Sequence, residues 1–222
     1  MSALPHVAEA VTSALEQKVI EVQFNENQVL GEEARRILAE LEVLEAQTGE
    51  KQEYLDGRFQ MMAGGSFAHN ALTMQIGALL HRKLQKKGCT LLSSDQRVWI
   101  QDHQYVYPDV TVVCGKPVFV DGTNILKNPA MIVEVLSSST EKNDSGAKRL
   151  AYFQIPTLQE YLLVAQNEVR IEHFSRQTEK LWHYRLFTSP KEGIHLPSLG
   201  AELSVGEVFE GITLASEIPN LL

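Results

Sequence analysis

A chain of 222 residues, 44% hydrophobic and 22% charged, has enough material for one domain with a well-buried core, with or without an appended arm. Its formal net charge of −8 excludes a protein that coats nucleic acid by charge alone, yet leaves room for a nuclease with a local basic surface and bound divalent cations. No apolar run is long enough to span a bilayer, and the first residues, MSALPHVAEAVTSALEQK, lack the basic start and apolar centre of a secretory signal, so a cytoplasmic protein is expected.

Residues 1–30 read as an N-terminal helical arm, with Val7, Val11, Leu15 and Val19 at roughly helical spacing, and residues 31–222 as a single domain. A clear helix is expected over 31–47, where Ala34, Ile37, Leu38, Leu41 and Leu44 form one stripe between Gly31 and Gly49. Asp56-Gly57 between two β-type runs predicts a hairpin with Glu53 on its first strand. Ser66 caps a second expected helix that runs to about Lys87 and is closed by Gly88. The basic cluster at its end, Arg82, Lys83, Lys86 and Lys87, reads as charge complementing the helix dipole rather than as a phosphate contact.

From Cys89 the chain turns β: CTLLSS, RVWIQ and Tyr107 to Cys114 read as strands, residues 115–128 as a loop, and Ala130 to Leu136 as a central buried strand. Ala147 to Ile155 is a helix that stops before Pro156, and Glu160 to Ala165 is another buried strand. The strand-helix-strand ending of this order implies a parallel crossover and a mixed sheet with helices on its faces. VRIEHFSR and KLWHYRLF follow as an antiparallel pair, with a small helix at Val205 to Phe209. Two cysteines, Cys89 and Cys114, without any CxxC spacing, are expected as reduced, packed thiols, a disulfide being the alternative.

The chemistry concentrates between Tyr107 and Leu163. Asp109 and Glu134 each interrupt a run of apolar, β-favouring residues, and an acid in such a run is costly unless it is paired or holds a metal. Pro108 suits a strand start, so Asp109 falls where one begins, whereas Glu134 lies inside MIVEVL. If the two strands are neighbours, the carboxylates converge into a hard oxygen site for magnesium or manganese, with the carbonyl of Val135 as a further ligand. Lys148, at the start of the following helix, can orient a water and stabilise charge on a phosphate. Taken singly, each acid has a structural explanation, as a buried ion pair or a turn residue. Ser137, Ser138, Ser139 and Thr140 read as loop and cap residues, since no histidine lies in their segment to activate a nucleophile.

These residues resemble a known family. YPDVTVV, NPAMIVEVLSSST, DSGAK, Tyr152 and LQEYLLV, with EYLDGRFQMMAGGSFAHN upstream, are similar to the Uma-two family, a bacterial branch of the PD-(D/E)xK, restriction-endonuclease-like nucleases. The resemblance runs from about Glu33 to Leu203 and implies an α/β (α+β) mixed-sheet, restriction-endonuclease-like core of order αβββαβ. It also implies a Mg-dependent endonuclease acting on DNA, with Asp109 as the motif aspartate, Glu134 as the second acid and Lys148 as the lysine. The usual lysine position, two residues after the second acid, holds Leu136, and Ala147 and Ser145 stand where an acid and an arginine are common. Glu53 and His69 are secondary candidates from the upstream motif, and Asp144 is either a partner of Lys148 or a helix cap. A homodimer is expected, because cutting both strands of a duplex suits two-fold symmetry. The alternative from another class is a catalytically degenerate interaction or regulatory module on the same fold.

Overall fold

The computed structural model describes residues 31–62, 64–101, 104–136 and 145–218. The arm expected over residues 1–30, residues 137–140 and Asp144 lie outside them. The described chain opens with helix α1 (Glu32–Thr48), hairpin strands β1 (Gln52–Leu55) and β2 (Arg58–Met61), and helix α2 (Phe67–Leu84). Strands β3 (Cys89–Ser93), β4 (Val98–Ile100), β5 (Gln104–Val106), β6 (Val110–Cys114) and β7 (Met131–Leu136) follow. Helix α3 (Ser145–Phe153) leads to β8 (Glu160–Ala165), β9 (Ile171–Arg176) and β10 (Trp182–Phe187). A small terminal unit holds β11 (Gly193–Leu196), β12 (Ala201–Ser204) and helix α4 (Val205–Phe209).

Local chemistry accounts for most of these boundaries. Ser66 caps α2 by accepting from the His69 N–H at 3.1 Å. Asp56 and Gly57 both take positive φ, 49° and 74°, which suits a two-residue turn whose twist matches the hairpin. The basic end of α2 is engaged within the domain: Arg82 and Lys83 each lie 3.5 Å from Glu207 of α4, and Lys87 donates to the carbonyls of Leu199 and Gly200. That agrees with a structural role for the cluster.

The main sheet has six strands in the order β10-β9-β8-β7-β6-β3. Only β7 and β8 in it are parallel, joined through α3 by the expected crossover. One face buries Leu72, Ile76 and Leu80 of α2 against Val133, Val135 and Leu162, with the terminal unit completing that layer. The other face carries α3, whose Ala151 and Tyr152 pack on Ile132, Tyr161 and Phe174. The mixed α/β core of order αβββαβ is thus present as α2-β3-β6-β7-α3-β8.

One strand start and the state of the cysteines differ from the sequence reading, and sheet membership goes beyond it. RVWIQ does not join the main sheet. Strands β4 and β5 leave it and form a second, four-stranded antiparallel sheet of order β2-β1-β5-β4, which α1 covers through Ile37, Leu38 and Leu41. Sequence order gives strand identity but not sheet membership, and the run expected from Tyr107 starts at Val110 because Pro108 cannot donate to a ladder. The expectation of two reduced thiols is also overturned: the register places Cys89 opposite Cys114, and the two form a disulfide between β3 and β6.

The terminal unit is anchored by a buried acid. Glu160 of β8 is fully buried, faces His173 Nε2 at 2.7 Å, and accepts from the Ser198 backbone N–H at 3.1 Å and hydroxyl at 2.6 Å. A carboxylate with all these partners is tolerable in a core where a bare one is not.

Leu162, 1% exposed at the centre of the main sheet, sets a stability test. Leu162→Ala should cost about 2–5 kcal/mol, read from urea unfolding. A loss under about 1 kcal/mol would mean the core collapses into the space. Reducing the Cys89–Cys114 bond, which closes a separation of 25 residues, should lower stability by roughly 2–4 kcal/mol, measured as a lower urea midpoint in reductant.

Candidate active site

The Tyr107-Pro108-Asp109 run joins the two sheets. Tyr107 is held on the α1 side: its hydroxyl donates to Glu45 Oε1 at 2.9 Å and accepts from Arg97 Nη2 at 2.6 Å. Arg97 in turn pairs with Glu45 at 2.8 Å. Two residues later Asp109 immediately precedes β6. The register pairs Val110 with Val133, so the next position along sets Asp109 beside Glu134. Both side chains share the parity of Ile132 and Tyr161, the sheet face that α3 covers.

Three elements converge on this place. Asp109 Oδ2 accepts the backbone N–H of Val135 at 2.7 Å and meets His69 Nε2 of α2 at 3.1 Å. Lys148 of α3 places its ammonium 3.0 Å from Glu134 Oε1 and 3.0 Å from Glu53 Oε1. Glu53 Oε1 also accepts the Tyr107 N–H at 2.8 Å, so the second sheet contributes an acid to the end of the first. Tyr152, one helical turn after Lys148, donates to Glu134 Oε1 at 2.5 Å.

Burial makes these interactions strong. The side chains of Lys148, Glu134 and Glu53 are 15%, 12% and 8% exposed, too little for solvent to screen them well. Burial pushes the Glu134 carboxyl up, the charges of Asp109 and Glu53 add to the rise, and Lys148 and Tyr152 oppose it. Burial works to lower Lys148, but the facing Glu134 and Glu53 carboxylates outweigh it and hold the ammonium charged. Burial and the same two carboxylates raise the Tyr152 phenol well above its usual value, so it stays a donor to Glu134. At His69, burial opposes the imidazolium, yet the hydrogen bond and charge of Asp109, with Glu134 behind, raise its pKa above 6.5. The stabilisation from that contact is therefore full below the unfolded-state value and is lost as pH rises through the folded one.

Asp109, Glu134 and Lys148, singled out from the sequence, come together, and so do the secondary candidates Glu53 and His69. Val135 enters through its N–H on Asp109. Tyr152 and Gly65 carry roles that spacing did not assign. A tyrosine four residues after a helical lysine could have signalled the first, whereas the second depends on a tertiary contact. A Cβ on Gly65 would stand 2.5 Å from His69 Nδ1, so the loop ahead of α2 needs glycine to pass over the imidazole.

The donor set suits a hard cation. Carboxylate and main-chain oxygens are the ligands magnesium or manganese takes, and no sulfur competes in the cluster. Among the described residues no three His, Cys, Asp or Glu side chains form a ready-made cage.

Gly65→Ala should push His69 away from Asp109. An NMR pH titration of the imidazole should then give a pKa closer to 6.5 than in the parent. An unchanged titration would mean that the loop yields and the ring stays.

Three comparisons bear on kinship. Two proteins of Synechocystis sp. (strain ATCC 27184 / PCC 6803 / Kazusa) are similar to the chain. The protein sll1609 is 38% identical over 151 residues, 66% of this chain and 85% of its own length. The protein slr1290 is 33% identical over 164 residues, 73% of this chain and 85% of its own length. The crystal structure of "a putative nuclease belonging to DUF820" from Anabaena variabilis ATCC 29413 superposes with a TM-score of 0.62, covering 73% of this chain and 91% of that one. At 17% identity this shows a shared fold. The Uma2 family model, described as "Putative restriction endonuclease", matches residues 38–215, a span that holds both sheets and every residue of the buried cluster, and the chain belongs to that family.

Proposed function

We propose that the chain is a metal-dependent endonuclease that hydrolyses phosphodiester bonds in DNA. The observation that carries this reading is the buried ammonium of Lys148, 3.0 Å from both Glu134 and Glu53, beside Asp109 at one end of the sheet. Family membership supports the reaction class. Asp109, Glu134 and the main-chain carbonyl of Val135 would hold magnesium or manganese, which when bound polarises a phosphate oxygen and makes a nearby water more acidic.

The chain's own residues supply orientation and charge. Lys148 is fixed by two carboxylates, so its N–H groups are preorganised to align an attacking water and to meet negative charge growing on the phosphate. Glu53 holds Lys148 in place, Tyr152 fixes Glu134, and the Val135 N–H with His69 fixes Asp109. The protein acts in the cytoplasm as a homodimer, which brings two sites to one nucleic acid.

A second reading has its own support. Lys148 already compensates Glu53 and Glu134, and such an ion-paired cluster can serve structure alone in a degenerate interaction module. Metal binding separates the two.

Plasmid DNA should be cut with magnesium or manganese, and Asp109→Ala, Glu134→Ala and Lys148→Ala should each lower the rate by about 10²–10³-fold or more. Calorimetry should show metal binding that Asp109→Ala and Glu134→Ala remove. No cleavage and no metal binding by the parent chain would leave the interaction module. Cleavage that survives Glu134→Ala would place the chemistry elsewhere. Sedimentation should give the mass of a dimer, and a monomer would refute that part of the reading.

A further inference from the structure

The face of the main sheet that carries the cluster does not end at α3. The register runs Glu134 beside Leu163, Leu163 beside Glu172 and Glu172 beside Leu186, so one row leads from the site to the edge strand β10. The neighbouring row runs Ile132, Tyr161, Phe174 and Tyr184. At the outer end of these rows Tyr184 and Leu186 are 49% and 48% exposed. Solvent-facing apolar residues side by side on an edge strand are an unusual surface to leave open.

The same place carries a cation aimed by an aromatic ring. Arg149, the residue after Lys148, lies over the Phe174 ring with its guanidinium carbon 5.2 Å from the ring centre. That contact places the group beside the ring and leaves its N–H donors able to meet a phosphate in bidentate fashion. Tyr184 leans on Phe174 at 5.0 Å between ring centres, so its ring is supported from one side. The Glu172 charge is offset by Arg170 at 2.6 Å. From β7 to β9, over which Arg149 sits, is two strand spacings, roughly 10 Å, and from β7 to β10, which carries Tyr184, three, roughly 15 Å.

We propose that Arg149 and Tyr184 form a subsite for a single-stranded stretch of nucleic acid leaving the Glu134–Lys148 cluster. Arg149 takes a phosphate and Tyr184 stacks a base. Stacking needs an open base face, which a paired duplex does not present at this flat edge, so the substrate strand is single or locally unpaired. The proposal rests on the nuclease reading only for the expectation that the substrate is a nucleic acid.

The test uses the full chain and a fluorescein-labelled 12-nucleotide DNA strand, alone and as a duplex, in EDTA so that binding is read without cleavage. Anisotropy should show tighter binding to the single strand. Tyr184→Ala should weaken it roughly five- to a hundredfold, the range for losing one stacked base, and Tyr184→Phe should retain it. Arg149→Ala should weaken binding and flatten the slope of log affinity against log salt by about 0.7, one phosphate contact on a single strand. Single-strand binding untouched by both alanine variants would overturn the proposal, as would tighter binding to the duplex. Loss of dimer mass in Tyr184→Ala with strand binding intact would also overturn it, assigning the face to a second copy of the chain. Strand binding through these two residues, without metal-dependent cleavage, would keep the subsite and remove the nuclease reading. Metal-dependent cleavage with strand binding indifferent to both residues would do the reverse.

Discussion

The site hangs on one ammonium shared by two buried carboxylates. Lys148 is 3.0 Å from Glu53 and 3.0 Å from Glu134, and these groups come from three elements in two sheets and a helix. None of the three charges would be tolerated at such burial alone, so each fixes where the others must be. The four-stranded sheet, α3 and the central strand β7 are therefore locked together through chemistry as well as through packing. Breaking one pair would leave an uncompensated charge, which costs more than the contact itself supplies.

The remaining contacts of the cluster serve this arrangement. Tyr107 carries the backbone N–H that Glu53 needs, and its own hydroxyl is held by Glu45 and Arg97, so α1 reaches the site through one tyrosine. Pro108 then breaks the ladder and lets the chain pass from the small sheet to the large one. Tyr152 and Lys148 approach the same Glu134 oxygen from consecutive turns of α3. A lysine on that helix can thus occupy the space that a strand lysine two residues beyond Glu134 would have reached. Leu136 at the strand position is buried, and it packs with Ile132 and Tyr152 instead of projecting a charge.

Helix and strand identity between Glu32 and Phe209 was largely legible because hydrophobic period, Gly and Pro punctuation and the Ser66 cap are local signals. The parallel crossover was legible too, since β7-α3-β8 has few alternatives. Asp109, Glu134 and Lys148 stood out because a charged side chain in or beside an apolar run needs a reason, and that reason can be asked of the sequence alone.

What the sequence could not decide was which distant segments meet. Membership of β4 and β5 in a separate sheet, the pairing of Cys89 with Cys114, and the arrival of Glu53 at Lys148 all depend on register and sheet packing between segments far apart in the chain. Gly65 against His69 is the smallest case: only the folded loop shows that a side chain there would strike the ring. Local energetics set each element and mark the costly charges. The tertiary structure selects their partners, because a buried charge is satisfied by whichever opposite group the packed backbone brings within about 3 Å.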